Sequence, residues 1–195
     1  MRRLGFLMAA LLIALPAFAH SGQGVGGGFA AGFLHPLTGL DHLLAMVAVG
    51  IWGAFLGRPL VWMLPVAFPL VMVVGGVLGI AGVPLPHVEV GIAVSVIVLG
   101  LAIAAAWRAP VGVAVAIVAV FAIFHGHAHG TELPSAASPE AYSAGFVIST
   151  GLIHVGGIGI GLLGKLPRGH SFLRTTGGAI CVLGVWILAG MPGLH

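Results

Sequence analysis

Half of the ten histidines of the chain fall in two short stretches, each of which also carries a carboxylate. The first is His35-Pro36-Leu37-Thr38-Gly39-Leu40-Asp41-His42. On a regular helix a spacing of seven returns His35 and His42 to nearly one face, with Asp41 turned about 100° from His42. Pro36 and Gly39 are the residues able to break that regularity and free backbone carbonyls. The second stretch is Phe124-His125-Gly126-His127-Ala128-His129-Gly130-Thr131-Glu132. His125 and His129 are one helical turn apart, so both imidazoles can converge on one ion, and Glu132 joins them if the helix continues through Gly130. Two imidazoles and a carboxylate suit nickel, cobalt, zinc or iron better than calcium or magnesium, which prefer oxygen shells. His127 points away from that face and is left out of the ligand set. Two plainer readings stay open: a structural Asp41–His42 hydrogen bond, and a histidine-rich interfacial loop touching lipid headgroups.

The elements that must hold these residues follow from composition. Of 195 residues, 59% are hydrophobic and 6% charged, and the mean hydropathy is +1.20. A soluble domain carries about 25% charged residues, so an aqueous enzyme, a nucleic-acid binder and a disordered chain are excluded. The apolar runs are unbroken, without the alternation of barrel strands, which predicts an all-α polytopic membrane bundle. The pI near 10.0 reflects a few basic residues against fewer acids; it reports orientation in the membrane, with no nucleic-acid partner implied.

Residues 1–19 have the order of a secretory signal peptide: Arg2 and Arg3, an apolar stretch, Pro16, then Ala17-Phe18-Ala19. Removal after Ala19 makes His20 the first residue, whose amine and imidazole form a chelate on a glycine-rich tether. The mature chain, residues 20–195, is expected to be one domain of six spans at about 30–52, 60–81, 88–107, 111–129, 141–163 and 172–191. With the mature amino terminus outside, Arg58, Arg108, and Lys165 and Arg168 with Arg174 alongside, all fall on the cytoplasmic side, and the opposite loops hold no Lys or Arg. That is the positive-inside pattern of a bacterial inner-membrane protein with a periplasmic amino terminus. Most histidines and Glu132 then fall at or near the outer face, which suits capture of a cation.

Asp41 lies within a span, where a carboxylate costs about 3 kcal/mol on insertion scales, and its own span contains no Lys or Arg to pair with it. Its partners must be histidine, hydroxyl, water or a bound cation. A self-comparison aligns Ala31-Gly32-Phe33 and Thr38-Gly39-Leu40-Asp41-His42 with Ala144-Gly145-Phe146 and Thr150-Gly151-Leu152-Ile153-His154, predicting similar depth for His42 and His154. His154 is on this basis a further candidate ligand, with a packing role as its competitor. The pairs Gly53/Gly57, Gly75/Gly79 and Gly157/Gly161 are read as close helix-packing sites.

With these motifs in place, the chain resembles the HupE/UreJ family of bacterial membrane proteins, proposed nickel or cobalt permeases associated with hydrogenase and urease systems. The resemblance rests on the leader before His20, six spans, and the two blocks His35 to His42 and Phe124 to Glu132. It implies metal handling by His35, Asp41, His42, His125, His129 and Glu132. Another nickel/cobalt transporter family has His-x4-Asp-His, whereas five residues separate His35 from Asp41 here. The expected function is a permease, not an enzyme, moving Ni2+ or Co2+ without ATP hydrolysis and without a permanent cofactor; no nucleotide-binding loop is present. The rival is a membrane metalloenzyme or haem protein whose histidines hold a cofactor permanently.

Overall fold

A computed structural model describes residues 25–132 and 138–191, with side chains from residue 27 onward. The expected all-helical membrane bundle is the architecture found. Among the described residues, seven helices follow one another: α1 (Val25–Thr38), α2 (Leu40–Leu56), α3 (Leu60–Ile80), α4 (Val88–Ala104), α5 (Val111–Glu132), α6 (Pro139–Leu162) and α7 (Gly169–Ala189), with a 3-10 turn at Leu163–Lys165 before the last. The leader at residues 1–19, His20 and His195 lie outside the described residues.

α3, α5, α7 and the run Pro139–Lys165 are each long and apolar enough to cross a bilayer, and α1 with α2 meets that criterion as a pair bent by 77°. The straight first span expected from hydropathy is therefore two helices bent against each other. At 17 residues, α4 is about 25 Å long at 1.5 Å per residue, the short limit for spanning. The break in the first unit falls at Gly39, whose backbone is extended (φ −81°, ψ 109°). Pro36 has no N–H to donate within α1, and Thr38 Oγ1 donates to the His35 carbonyl at 2.9 Å, so the last turn of α1 is closed by a side chain.

Glycine contacts set how the helices meet. Gly126 and Gly130 of α5 lie against the backbone of Met72 and Gly76 of α3, so closely that a Cβ at either position overlaps main-chain atoms. Gly75 and Gly79 return the contact to Ile123, His127 and Thr131. The residue numbers rise together, so α3 and α5 run parallel. By the same test α6 runs parallel to the broken unit: Gly32 meets Tyr142, Gly145 meets Phe29, Gly50 meets His154 and Gly157, and Gly161 meets Ile51 and Ala54. α4 and α7 pair antiparallel through Gly100 and Gly177. The packing expected at Gly75/Gly79 and Gly157/Gly161 is thus present. Gly57 does something different: with φ +81° and no neighbour around its Cα, it ends α2, a conformation that costs glycine nothing.

The core runs through Met46, Val49, Trp52, Leu64, Phe68, Val96, Leu99 and Val118. On α3 the buried Leu64, Phe68 and Met72 alternate with an exposed stripe of Val66, Leu70, Val73 and Val77, the face a bilayer would cover. At one end of the bundle the loops bring Arg108 over the Phe55 ring at 5.5 Å, His170 against the same ring at 6.0 Å, and Arg174 onto the Ala104 carbonyl at 2.9 Å. The α1–α2 break, the end of α5 and the start of α6 lie at the other end.

Candidate functional site

That other end gathers the histidines. His35 comes from the last turn of α1, Asp41 and His42 from the first turn of α2, and His125, His129 and Glu132 from the end of α5. α5 continues through Gly130 to Glu132, which brings the carboxylate back over His129 at 3.7 Å. Glu132 also reaches His35 Nε2 across the helix boundary at 3.4 Å. One donor atom from each of His35, His129 and Glu132 can be chosen so that all lie within 4.8 Å of one another. A nitrogen donor bonds zinc-like ions at about 2.0–2.1 Å, so modest inward movement closes these three on one ion.

Two further imidazoles complete the cluster. The His42 ring is 4.6 Å from that of His129 and 5.0 Å from that of His125, and the His35 ring is 4.8 Å from His129. His42 Nδ1 lies 2.9 Å from Asp41 Oδ1, and the His42 backbone N–H donates to the same oxygen at 2.8 Å. His125 Nδ1 lies 2.8 Å from the Phe121 carbonyl. With Nδ1 donating in both rings, Nε2 of His42 and of His125 is left carrying the lone pair, and each is buried without a hydrogen-bond partner. A histidine whose far nitrogen is held by a carboxylate or carbonyl is the usual arrangement behind a metal-ligating ring.

Exposure is graded. The side chains of Glu132 and His35 are 56% and 32% accessible, those of His42 and His129 are near 11% and 10%, and His125 is fully buried. The ring of Phe146 packs on His129 at 4.4 Å, and Tyr142 and Phe146 both wall His35. A cavity of about 110 Å³ between α3, α5 and α6 reaches His129, past Met72, Gly76, Tyr142 and Phe146.

The structure brings together His35, Asp41, His42, His125, His129 and Glu132. Asp41 serves as the partner of His42, with the start of α2 behind it, where the helix dipole favours negative charge. His127 is turned away as expected, its Nε2 2.8 Å from the Val83 carbonyl. His154 is separate from the cluster. Its backbone stands opposite Gly50, eight residues beyond His42 on the parallel α2, about 12 Å further along the bundle. The similar depth expected for the two histidines is therefore not found: Gly32 and Gly145 meet at one crossing, and the bend at Gly39 then takes α2 out of step with the unbroken α6. Between His154 and the cluster lies Phe68 of α3, edge-on to His125 at 5.2 Å and to His154 at 5.5 Å. Sequence reasoning missed Phe68, Phe146 and Thr150. No motif marks Phe68, and the self-comparison that contains Phe146 and Thr150 gave them no role; only a match between helix faces and the histidine positions could have pointed to them.

A multi-helix membrane protein with an imidazole and carboxylate cluster gathered at one end of its bundle is the class these features define. The chain belongs to the HupE/UreJ family: the model of the family described as HupE / UreJ protein matches residues 8–187. It is also 46% identical over 179 residues to Protein HupE of Rhizobium leguminosarum bv. viciae, covering 91% of this chain and 94% of that one. No solved structure matches the chain.

Proposed function

We propose that this protein is an inner-membrane permease that takes up a divalent transition metal ion, nickel first and cobalt second, without ATP hydrolysis. The observation that carries the reading is the pair of buried, unpartnered Nε2 atoms on His42 and His125, each on a ring whose Nδ1 is already committed. A buried polar atom without a partner costs about 1–3 kcal/mol, a cost removed when the atom ligates a cation. Asp41 and Glu132 supply the negative charge that a divalent ion needs away from water. His35, His129 and Glu132 form the outward, accessible part of the ligand set, and His42 and His125 the buried part. His20 adds a donor in this reading once residues 1–19 have been removed, and residues 20–195 act as one six-span domain with a periplasmic amino terminus.

Imidazole nitrogen with few carboxylate oxygens favours nickel, cobalt or zinc over magnesium or calcium. Membership of the HupE/UreJ family supports nickel or cobalt among these, destined for hydrogenase or urease maturation. The graded exposure fits the task, because a conducting site must bind firmly enough to strip water yet release its ion.

Radiolabelled Ni2+ uptake into proteoliposomes tests the reading, with Co2+, Zn2+ and Mg2+ as competitors. Wild-type protein is expected to support uptake that His42→Ala and His129→Ala lose while remaining in the membrane. Wild-type uptake in both variants, or metal that stays stoichiometrically bound and does not exchange, refutes it; the second outcome favours a resident metal.

A further inference from the structure

Four residues of α6 recur at every fourth position: Tyr142, Phe146, Thr150 and His154. Spaced so, they form a slowly slanting row along one side of the helix. Tyr142 and Phe146 wall the histidine cluster, and Thr150 and His154 continue the row inward by about 6 and 12 Å from Phe146. Both are buried, Thr150 completely and His154 to within 1%.

Neither residue has its polar atoms paired. A threonine within a helix commonly donates to the carbonyl four residues back, and Thr175 and Thr176 do so here, to Ser171 and Phe172 at 3.0 Å. Thr150 makes no such bond, and both ring nitrogens of His154 are without a hydrogen-bond partner. An orphaned imidazole and an orphaned hydroxyl one turn apart, on the row that begins at the outer cluster, supply nitrogen and oxygen donors with no structural use. Phe68 of α3 links the row to the cluster, in ring contact with both His125 and His154.

We propose that Thr150 and His154 form a second, inner station for the transported divalent cation, which reaches it from the outer cluster by passing Phe68. This rests on the permease reading above. The inner station has one imidazole and no carboxylate, so it holds the ion more weakly than the outer cluster does. Weak tenure at the inner site is what lets an ion leave toward the far side.

The test compares equilibrium Co2+ binding to the full chain in nanodiscs with Co2+ uptake into proteoliposomes, for wild type, His154→Ala, Thr150→Val and His129→Ala. His154→Ala is expected to bind Co2+ within about twofold of wild type while its maximal uptake falls at least about tenfold. Thr150→Val should show the same split with a smaller loss of uptake, and His129→Ala should lose both. Retained binding by His154→Ala also establishes that the variant is folded. Undiminished uptake by His154→Ala overturns the inner station and leaves the permease standing on the His129→Ala result. Loss of binding by His154→Ala to the extent seen for His129→Ala also overturns it, since His154 then merely supports the outer cluster. A wild type without uptake refutes both proposals together.

Discussion

Asp41 Oδ1 lies 2.9 Å from His42 Nδ1 and also accepts the His42 backbone N–H. One oxygen therefore holds both the orientation and the tautomer of the ring, and presents Nε2 to the cluster. Asp41→Asn preserves the shape but removes the charge, and its amide can turn an N–H toward the ring. Loss of such a supporting carboxylate typically lowers metal affinity 10–100-fold. Co2+ titration of purified Asp41→Asn is expected to show a drop in that range at normal protein yield; unaltered affinity would remove Asp41 from its positioning role.

Gly39 makes room for this pair. A Cβ there lies 3.2 Å from His42 Nδ1 and 3.3 Å from Asp41 Oδ1, whereas one at Gly151, the matching glycine of the self-comparison, meets nothing within 4 Å. Gly39→Ala should therefore reduce uptake severalfold by displacing the His42 ring. Gly151→Ala should leave uptake unchanged. Equal behaviour of the two variants in the proteoliposome assay contradicts this placement of the Asp41–His42 pair.

Gly126 and Gly130 let α5 approach the α3 backbone. Alanine at either position overlaps main-chain atoms of Met72 or Gly76, and overpacking of this kind costs about 1–3 kcal/mol. Both variants should melt at lower temperature than wild type in a detergent thermal-shift measurement. A melting temperature equal to that of wild type indicates that α3 and α5 are further apart than described.

His127 shares the bonding pattern of His125, one ring nitrogen on a carbonyl and the other buried without a hydrogen-bond partner, and differs from it in being turned away from the cluster. Its Nε2 lies 2.8 Å from the Val83 carbonyl, a bond whose net contribution is about 1 kcal/mol. His127→Ala should lower thermal stability modestly and leave Co2+ affinity within twofold of wild type. A large loss of affinity in a folded His127→Ala protein would place this ring among the ligands.

Ligation needs the neutral imidazole, so protons compete with the ion. Any loss of uptake as external pH is lowered from 7.5 to 5 should therefore depend on the metal concentration. The decline should ease as metal concentration is raised, because proton and ion compete for the same nitrogens. A loss at low pH that added metal does not relieve argues against competition for the ring nitrogens.

Much of the site was legible before any coordinates, because ligand spacing within one helix is a local property. The turn relating His125 to His129 follows from 3.6 residues per turn, and Glu132 follows once α5 extends through Gly130. Pro36 and Gly39 likewise announced a possible break, though not that it would bend the chain by 77°. The His127 exclusion came from the same periodicity. Where the expectation failed, at the depth of His154, it relied on matching two stretches on different helices, and no rule of sequence spacing governs that.

What the chain alone determined is therefore chemical and local: an apolar composition that only helices in a bilayer can accommodate, the donor types, and their grouping along single helices. The tertiary structure decided which donors face one another. Distances between helices depend on backbone contacts such as Gly126 with Met72 and Gly50 with His154, which set each helix's shift along its neighbour. Those shifts set His42 of α2 beside His125 and His129 of α5 and bring Phe68 of α3 into ring contact with both His125 and His154.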